Sequence, residues 1–516
     1  MAHVTDEIAV PAGGQEGVRG RDLARAAQGA SIILAGKLVG LVFRVALSFV
    51  LARSLGAEQY GLYNLALIVA GVVASLAILG LGNGLVRYVS TSVSRGDDRG
   101  LWGTLQVGIG IPALLSFLLS IGLFLATDLI AETLFHEARL IPLLHMVSVV
   151  VPFLVLEGVL AAAVQGFKNM HYPVIAGSVV NPVVKLLVLG ALIISVGLNA
   201  EGAVVSFVLS EGAAAIILIY FLNREFPLRR SLAGARRDFK KILAYSLPMQ
   251  LSSFVANQAG SIQTAMLQTM ATVTSVGIFA VASQFNMVGG LLQSSLHTAT
   301  NPLVAQLHDK GDVAQLRYIY QMASKWSLIF NLPCFLTLVL VPDVLLSLLG
   351  KSYLDGVPTL IILAWATLVE TCGGTSGGML DFSGYSKLKL ANSIVVAVAL
   401  VLLSLLLIPR AGIIGAALAV LGATVIANLL RVIEVYILLK ITPYNLSFLK
   451  PLAASALALT SALFTAQALG AYGSTVRAMA EIAVLLAVYV GALLALGLAP
   501  EERALLTRLF QRWRMA

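Results

Sequence analysis

Three basic side chains fall inside long apolar runs, where a charge needs a partner. Lys37 and Arg44 are seven residues apart, about two helical turns, so a helix places them on one face. Lys185 lies near the middle of a later apolar run. A charge in apolar surroundings is costly, and it usually faces a water-filled path or an ion partner. These cations therefore predict one wall of a polar cavity inside the molecule.

Three carboxyl groups lie at comparable depth in apolar runs, namely Glu157, Glu211 and Glu370. A carboxyl group that leaves water can take up and release a proton, so these three are the candidates for coupling to an ion. A second interpretation stays open for Glu157 and Glu211. They would neutralise the cations in a buried structural network, because a buried charge is tolerated when it is paired.

Neutral polar side chains occur at helical spacing in the same kind of run. Asn181 is one turn from Lys185, Gln250 and Asn257 share a face, and Asn286 and Gln293 do likewise. We predict that these amides line the cavity. The alternative is that they form hydrogen bonds between helices, as polar residues in apolar helices often do.

The composition requires a membrane around these residues. Hydrophobic residues make up 59% of the 516 positions and charged residues 11%, against about 25% charged in a soluble domain. The net charge of +9 is spread between apolar runs, which excludes the basic patch of a nucleic-acid-binding protein. Cys334 and Cys372 both lie in apolar runs, so neither a disulfide framework nor a cysteine zinc site is expected. We predict no metal, no cofactor and no catalytic residue.

About fourteen runs are long enough to span a bilayer as helices. Their approximate limits are 29–52, 61–82, 102–127, 140–165, 174–196, 201–222, 242–263, 274–297, 320–345, 357–380, 388–408, 412–438, 448–469 and 476–498. With both termini in the cytoplasm, 25 of the 34 lysines and arginines fall on the cytoplasmic side and five outside. The positive-inside rule therefore predicts a multi-pass protein of the cytoplasmic membrane with both termini inside.

An internal repeat divides the chain into halves of six spans. Four short motifs recur in order at offsets of 213 to 218 residues. The pairs are Gly61-Leu62-Tyr63 with Gly277-Ile278-Phe279, Arg95-Gly96-Asp97 with Lys310-Gly311-Asp312, Gly166-Phe167 with Gly384-Tyr385, and Gly202-Ala203 with Gly415-Ala416. An even number of spans gives both halves the same orientation, which is an arrangement found in transporters.

The repeat predicts the domain organisation of an all-α integral membrane protein. It consists of a cytoplasmic tail (1–27), a first lobe (28–222), a basic cytoplasmic linker (223–241), a second lobe (242–440), two extra helices (441–499) and a cytoplasmic tail (500–516).

Span ten carries four glycines directly after Glu370, in the sequence TCGGTSGG. Such a run predicts an unwound stretch, which is tolerated at membrane depth only where protein or water satisfies its backbone. Breaks of this kind often mark transport sites or hinges. Close helix packing through small residues is the alternative.

Several motifs resemble one family of membrane proteins. Residues 51–64 (LARSLGAEQYGLYN) resemble the first loop of polysaccharide-exporting flippases in the multidrug/oligosaccharidyl-lipid/polysaccharide (MOP) exporter superfamily, and 79–82 (LGLG), 87–88 (RY) and 415–417 (GAA) fit the same family. The resemblance implies two six-helix lobes in a V shape that transfer a polyprenyl-diphosphate-linked oligosaccharide across the membrane by alternating access. Membrane lipids and polysaccharide assembly proteins are its implied partners.

The charged and polar residues agree with this resemblance. A diphosphate needs cations when it leaves water, which assigns Arg44, Lys37 and Lys185 to the head group. Sugars need neutral hydrogen-bonding groups, which assigns the five amides to the glycan.

Two relatives of this family and one enzyme class compete with that interpretation. A fourteen-span count is typical of the peptidoglycan-precursor flippases. A multidrug antiporter for organic cations would need carboxylates in its first-lobe cavity, and only Glu157 and Glu211 favour it. A membrane glycosyltransferase would place catalytic acids on sizeable outer loops, whereas the outer loops predicted here are short.

Overall fold

The computed structural model describes residues 12–167, 169–195, 197–227, 235–237, 239–382 and 386–496. Within these residues the chain is helical, without β-strands. The α-helices are α1 (Ala12–Ile78), α2 (Leu81–Arg95), α3 (Asp98–Leu125), α4 (Leu140–Gly166), α5 (His171–Val174), α6 (Asn181–Ser195), α7 (Ala200–Glu225), α8 (Phe239–Met270), α9 (Val273–Asp309), α10 (Val313–Leu340), α11 (Pro342–Ser347), α12 (Val357–Cys372), α13 (Ser376–Phe382), α14 (Ser386–Leu439), α15 (Leu449–Ala468) and α16 (Ser474–Ala495).

Four short segments connect these helices with tighter or wider turns. Leu129–Leu134 and Ile175–Val180 are π-helical, and Lys351–Gly356 and Leu446–Phe448 are 3₁₀-helical. The second π-helical segment runs directly into α6, so α5, this segment and α6 form one continuous spanning stretch, His171–Ser195.

In the described part, 11 helical stretches are long and apolar enough to cross a membrane. The two longest, Val42–Ile78 and Leu388–Leu439, each contain a break in the helical backbone, at Gly56 and Gly412. Gly56 lies in the predicted loop between the first two spans (53–60), and Gly412 is the first residue of the predicted span 412–438. The predicted all-helical membrane fold is confirmed, and the number of fourteen spans stays a prediction.

One motif of the repeat folds into the same turn in both halves. Gly96 and Gly311 end their helices in the left-handed region, with φ of 64° and 68°. The aspartate that follows then caps the next helix, since Asp97 Oδ1 accepts from the Gly100 amide at 2.9 Å and Asp312 Oδ1 from the Gln315 amide at 3.0 Å. The matching sequence therefore reflects matching local structure.

The chain forms two compact units. The first consists of Met1–Leu47, Val73–Ala126 and Leu144–Gln250, and the second of Ser48–Val72, Thr127–Leu143 and Leu251–Ala516. Each unit contains segments from both sequence halves, so the contacts do not follow the predicted lobe boundaries, which stay a prediction.

The core of the first unit holds the helices that carry its polar residues. Leu85 and Leu105 on α2 and α3 are fully or almost fully buried together with Val159 on α4 and Leu218 on α7. Burial of these apolar side chains fixes how α4 and α7 are rotated about their axes. That rotation decides which of their polar residues face one another.

The second unit contains a crossing between the two matching glycines of the repeat. A Cβ on Gly61 would collide with the carbonyl oxygen of Val273, and a Cβ on Gly277 would collide with that of Ala57. The two contacts are reciprocal, as a local two-fold relation between the repeats requires. In the same unit, Tyr489 on α16 donates to the carbonyl oxygen of Ile329 on α10 at 2.9 Å, which attaches the last helix pair to the second half.

Candidate functional site

The first unit brings together predicted residues from three helices. Glu157 lies on α4, Asn181 and Lys185 lie on α6, and Glu211 lies on α7. We refer to these four residues as the first-half polar cluster. Asn181 directly follows the π-helical segment, a type of turn that occurs often at functional sites.

The polar contacts of this cluster centre on two glutamates. The amide nitrogen of Asn181 donates to Glu211 Oε1 at 2.9 Å. The carboxyl group of Glu157 lies near that of Glu211, so the two like charges interact. Gly177 in the π-helical segment allows this approach, since a Cβ there would lie 3.3 Å from Glu157 Oε1. Glu211 is 5% exposed, so water hardly reaches it.

The two glutamates are neighbours of like charge in a region that water hardly reaches. Like charges repel strongly away from water, so such a pair is costly when both groups are ionised. Glu211 Oε2 is buried and has no hydrogen-bond partner in the described part of the chain.

Lys185 supplies the positive charge of the cluster. Its side chain is buried, and Nζ lies 4.5 Å from the centre of the Phe207 ring, which is a cation–π contact. Phe207 is one turn before Glu211 on α7, and Lys185 is one turn after Asn181 on α6. The cluster thus combines one lysine with two carboxyl groups.

Arg44 is placed differently. It is exposed on α1, as are its neighbours Val42 and Val45, and it forms no ion pair within the part of the chain that the structure describes. The alternative in which a glutamate of the first half neutralises Arg44 is therefore not what is observed. The side chain of Lys37 lies outside the described residues.

The second unit contains a neutral counterpart of the cluster. Asn331 on α10 donates to the hydroxyl of Thr371 at 2.9 Å, and that hydroxyl lies 3.4 Å from Gln293 Oε1. Thr367 lies one turn before Thr371, and its hydroxyl is 3.5 Å from Asn286 Oδ1. We refer to Asn286, Gln293, Asn331, Thr367 and Thr371 as the second-half polar network. Asn286 and Gln293, predicted to line a cavity, here form hydrogen bonds between α9 and α12.

Asn331 and Thr371 were missed by the sequence reasoning, although a signal for Asn331 was present. Ser324, Ser327 and Asn331 follow one another at spacings of three and four on α10, which is a polar stripe of the same kind. All three are buried. Thr371 carries no such signal, because threonine is common in apolar helices and can bond its own backbone.

Two further predicted cavity residues lie on α8. Gln250 donates through Nε2 to the carbonyl oxygen of Ser75 at 3.2 Å, within the first unit. The side chain of Asn257 lies outside the described residues.

The predicted break in span ten is present. Helix α12 ends at Cys372, and α13 begins at Ser376 after a turn in which Gly374 has φ of 60°. The break frees backbone carbonyl groups, and side chains satisfy them. Gln293 donates to the oxygen of Gly374 and Tyr320 to that of Gly373, both at 3.4 Å. Close packing accompanies the break, since a Cβ on Gly374 would collide with Ser324.

Glu370 lies just before this break and lines a cavity in the second unit. The cavity has a volume of about 290 Å³, and its polar lining includes Gln263, Asn428 and Arg431. Glu370 is exposed, unlike Glu211. The carboxyl groups of the two units therefore differ in burial.

Two family models match this chain of apolar helices with embedded charges. The family model described as polysaccharide biosynthesis protein matches residues 26–308, more than half of the chain. The chain belongs to this family. A second family model, MatE, matches residues 248–408.

Two known proteins are similar to this chain over most of its length. Stage V sporulation protein B of Bacillus subtilis (strain 168) is 24% identical over 440 residues, which cover 80% of this chain and 84% of the relative. The lipid II flippase MurJ in an inward closed conformation superposes with a TM-score of 0.72 at 15% identity, covering 90% of this chain and 98% of MurJ.

A multidrug resistance transporter of the MATE family in an inward-facing conformation superposes with a TM-score of 0.68 at 17% identity, covering 80% of this chain and 98% of the transporter. These two likenesses establish the fold, which this chain shares with two transport proteins. The resemblance seen in the sequence motifs is confirmed by the match to the polysaccharide biosynthesis family.

Proposed function

We propose that this family member is a flippase. It moves a polyprenyl-diphosphate-linked oligosaccharide, a precursor of cell-surface polysaccharide, from the inner to the outer leaflet by alternating access. The observation that carries the proposal is the match of residues 26–308 to the polysaccharide biosynthesis family. The MurJ-like fold supports it, since MurJ is by its name a lipid II flippase.

Arg44 is the residue we assign to the diphosphate of the cargo. An exposed guanidinium in an apolar helix is costly without an anion, and a diphosphate offers paired oxygens that match its donor fork. Lys37, on the same face of a helix, and Lys185 belong to the same proposed role. The prenyl chain stays in the lipid, so only the charged head and its sugars require polar surroundings.

The Glu157–Glu211 pair is the proposed site of coupling to protons. Release of a proton from this pair would leave two negative charges beside Lys185, and uptake of a proton would reduce them to one. A buried group whose charge changes with protonation can favour one conformation over another. Glu370, with its more exposed carboxyl, is the second candidate for coupling.

Two other cargoes are supported by particular observations. The MatE match over 248–408 favours a multidrug antiporter, and the likeness to MurJ favours a lipid II-type precursor. Arg44 argues against organic cations, because it would repel them. Arg44 does not discriminate between a polyprenyl-diphosphate-linked oligosaccharide and lipid II, because both are diphosphate lipids.

Reconstitution of the purified protein into liposomes separates the three cargoes. Fluorescent polyprenyl-diphosphate oligosaccharide, lipid II and an organic cation would be offered in parallel, and the fraction moved across the bilayer measured. We expect transport of the oligosaccharide lipid under a proton gradient. Transport of the organic cation alone would overturn the proposal, and transport of lipid II alone would replace its cargo.

The orientation in the cytoplasmic membrane is part of the same proposal, with both termini inside. Cysteine at Lys240 or Lys389 should react with an impermeant thiol reagent only from the cytoplasmic side, whereas cysteine at Lys351 should react only from outside. Reaction of any one from the opposite side would mean that the span count is wrong before that position.

A further inference from the structure

A basic cavity in the first unit is separate from the first-half polar cluster. It has a volume of about 290 Å³ and lies between the end of α2, the start of α3 and the segment that leads into α8. We refer to it as the linker pocket. Its charged and hydroxyl lining consists chiefly of Arg87, Ser92, Arg95, Asp97, Arg236 and Lys241.

Residues 235–237 of the linker are fixed against α3, so this side of the pocket is formed by the fold. The backbone amide of Arg236 donates to the carbonyl oxygen of Arg99 at 3.1 Å, and Arg237 Nε donates to Gln106 Oε1 at 2.7 Å. Gly103 makes room for the linker backbone, since a Cβ there would collide with the carbonyl group of Arg236. These contacts hold the side chains of residues 236 and 241 beside α2.

The second wall of the linker pocket comes from α2. Tyr88 donates to the carbonyl oxygen of Lys241 at 3.4 Å, and both Arg87 and Lys241 lie within 5.8 Å of its ring centre. The Tyr88 ring thus contacts two cations, Arg87 from the α2 wall and Lys241 from the linker wall.

The charge of the pocket selects an anion. Four cations and one carboxylate line it, an excess of three positive charges. The carboxylate, Asp97, already caps α3 by accepting from Gly100, so its negative charge is directed to that helix. Arginine and lysine side chains arranged around a small space bind phosphate oxygens through charge-assisted hydrogen bonds.

Size and surroundings point to a phosphate carried by a lipid. The cavity lies at the lower end of the range for small-molecule sites, about 300–1,000 Å³, so it accommodates a head group but no oligosaccharide. Val93 and Phe239, which adjoin this region in sequence, are exposed apolar side chains, 40% and 39% exposed. The positive-inside rule places this end of the helices at the cytoplasmic leaflet, where anionic lipids attract basic segments.

We propose that the linker pocket binds the phosphate of a membrane lipid head group at the inner leaflet. Binding would hold the linker between the two halves against the first unit. The inference does not depend on which cargo the protein transports, because it rests on the pocket alone.

The test compares pairs of substitutions that remove equal charge. The double substitution Arg236→Gln with Lys241→Gln removes both positive charges of the linker wall. The double substitution Arg87→Gln with Arg95→Gln removes both positive charges of the α2 wall. The matched control is Arg99→Gln with Lys240→Gln, two exposed neighbours that do not line the pocket. Thermal unfolding of each variant checks that the fold is retained, and having two independent walls keeps the test valid if one pair fails to fold.

Binding of short-chain phosphatidylglycerol to the detergent-solubilised full chain would be measured by thermophoresis, with diacylglycerol as the lipid without phosphate. We expect wild-type protein to bind phosphatidylglycerol in preference to diacylglycerol. Each pocket pair should weaken binding about thirtyfold, since one basic residue near an anionic lipid contributes roughly fivefold. The control pair should weaken it much less.

Inorganic diphosphate distinguishes the source of the phosphate. Partial displacement of the lipid at high concentration would support recognition of a lipid-borne phosphate. Binding of free diphosphate as tight as that of the lipid would overturn the lipid assignment. Equal loss in the control and pocket variants, or no loss in either pocket pair, would show that the pocket is not the binding site.

Discussion

The first-half polar cluster and the second-half polar network occupy comparable helices but differ in charge. Glu157 lies on the fourth span of its half and Thr371 on the fourth span of the other, and both contact polar residues on neighbouring helices. The first contains two carboxyl groups and a lysine, whereas the second contains only amides and hydroxyls. A charged cluster can change its protonation, but a neutral network cannot. The comparison supports the proposal that the first half couples to protons, whereas the second-half polar network stabilises the helix break beside it.

We expect the largest effect on stability from a substitution at the helix break between α12 and α13. Gly374→Ala should lower the free energy of unfolding by about 2–5 kcal/mol, because a left-handed backbone costs about 1–2 kcal/mol and overpacking about 1–3. Gly377→Ala is the matched control, since nothing lies within 4 Å of the position its Cβ would take. Membrane abundance and thermal unfolding measure both. Equal stability of the two variants would show that the break does not depend on close packing at Gly374.

The charged cluster should instead affect coupling without much loss of fold. Glu211→Gln keeps an oxygen for Asn181 but cannot share a proton with Glu157, so the dependence of flipping on a pH gradient should fall by about 5–150-fold. Glu157→Gln should behave alike, and Glu370→Gln should retain the dependence.

Flipping in liposomes with and without a pH gradient measures this effect. If Glu370→Gln loses the dependence and both first-half variants retain it, the assignment of the two halves is reversed.

Arg44 tests whether the first half also recognises the cargo. Arg44→Ala should leave folded protein but weaken head-group binding by roughly ten- to a hundredfold, because it removes a charge-assisted contact of about 1.5–3 kcal/mol. Arg44→Lys should restore binding only in part, since it keeps the charge and loses the donor fork.

Arg410→Ala is the control, because that guanidinium donates to the carbonyl oxygen of Leu406 in its own helix. Unchanged binding and flipping in Arg44→Ala would remove Arg44 from the site.

We expect the smallest effect on stability from the exposed ion pairs of Arg139. They serve as a reference for the buried first-half polar cluster. Arg139 contacts Glu137 at 2.7 Å and Glu58 at 2.5 Å, and its side chain is 54% exposed. Its hydrogen bond holds the pKa of Glu137 below the ordinary value of 4.5. The pair therefore stabilises the fold above that pH, and the contribution is lost as the pH falls through the lower folded-state pKa.

Arg139→Gln should lower stability at neutral pH by about 0.2–1 kcal/mol, because solvent screens such pairs, and by less in acid. Thermal unfolding at the two pH values measures this difference, with Lys351→Gln as the control. A larger loss in acid than at neutral pH would contradict the expected sign.

Much of the fold was readable from the sequence because the bilayer imposes simple rules. Long apolar runs predict helices, and the gap between the first two runs contains the break found at Gly56. The recurring Gly-Asp pair predicted a repeat, and the structure shows that each copy forms the same turn. The glycines after Glu370 predicted the interruption of span ten. The motif resemblance correctly identified the superfamily.

Which polar residues meet was decided only by the tertiary structure. Helical periodicity shows that Asn181 and Lys185 share a face, but not which helix that face contacts. Glu157 and Glu211 are 54 residues apart, and their contact depends on how core packing rotates α4 and α7. For the same reason, the sequence left open whether Arg44 was paired with a glutamate and whether Asn286 lined a cavity or joined two helices. The sequence determined what each helix contains, and packing determined what each helix faces.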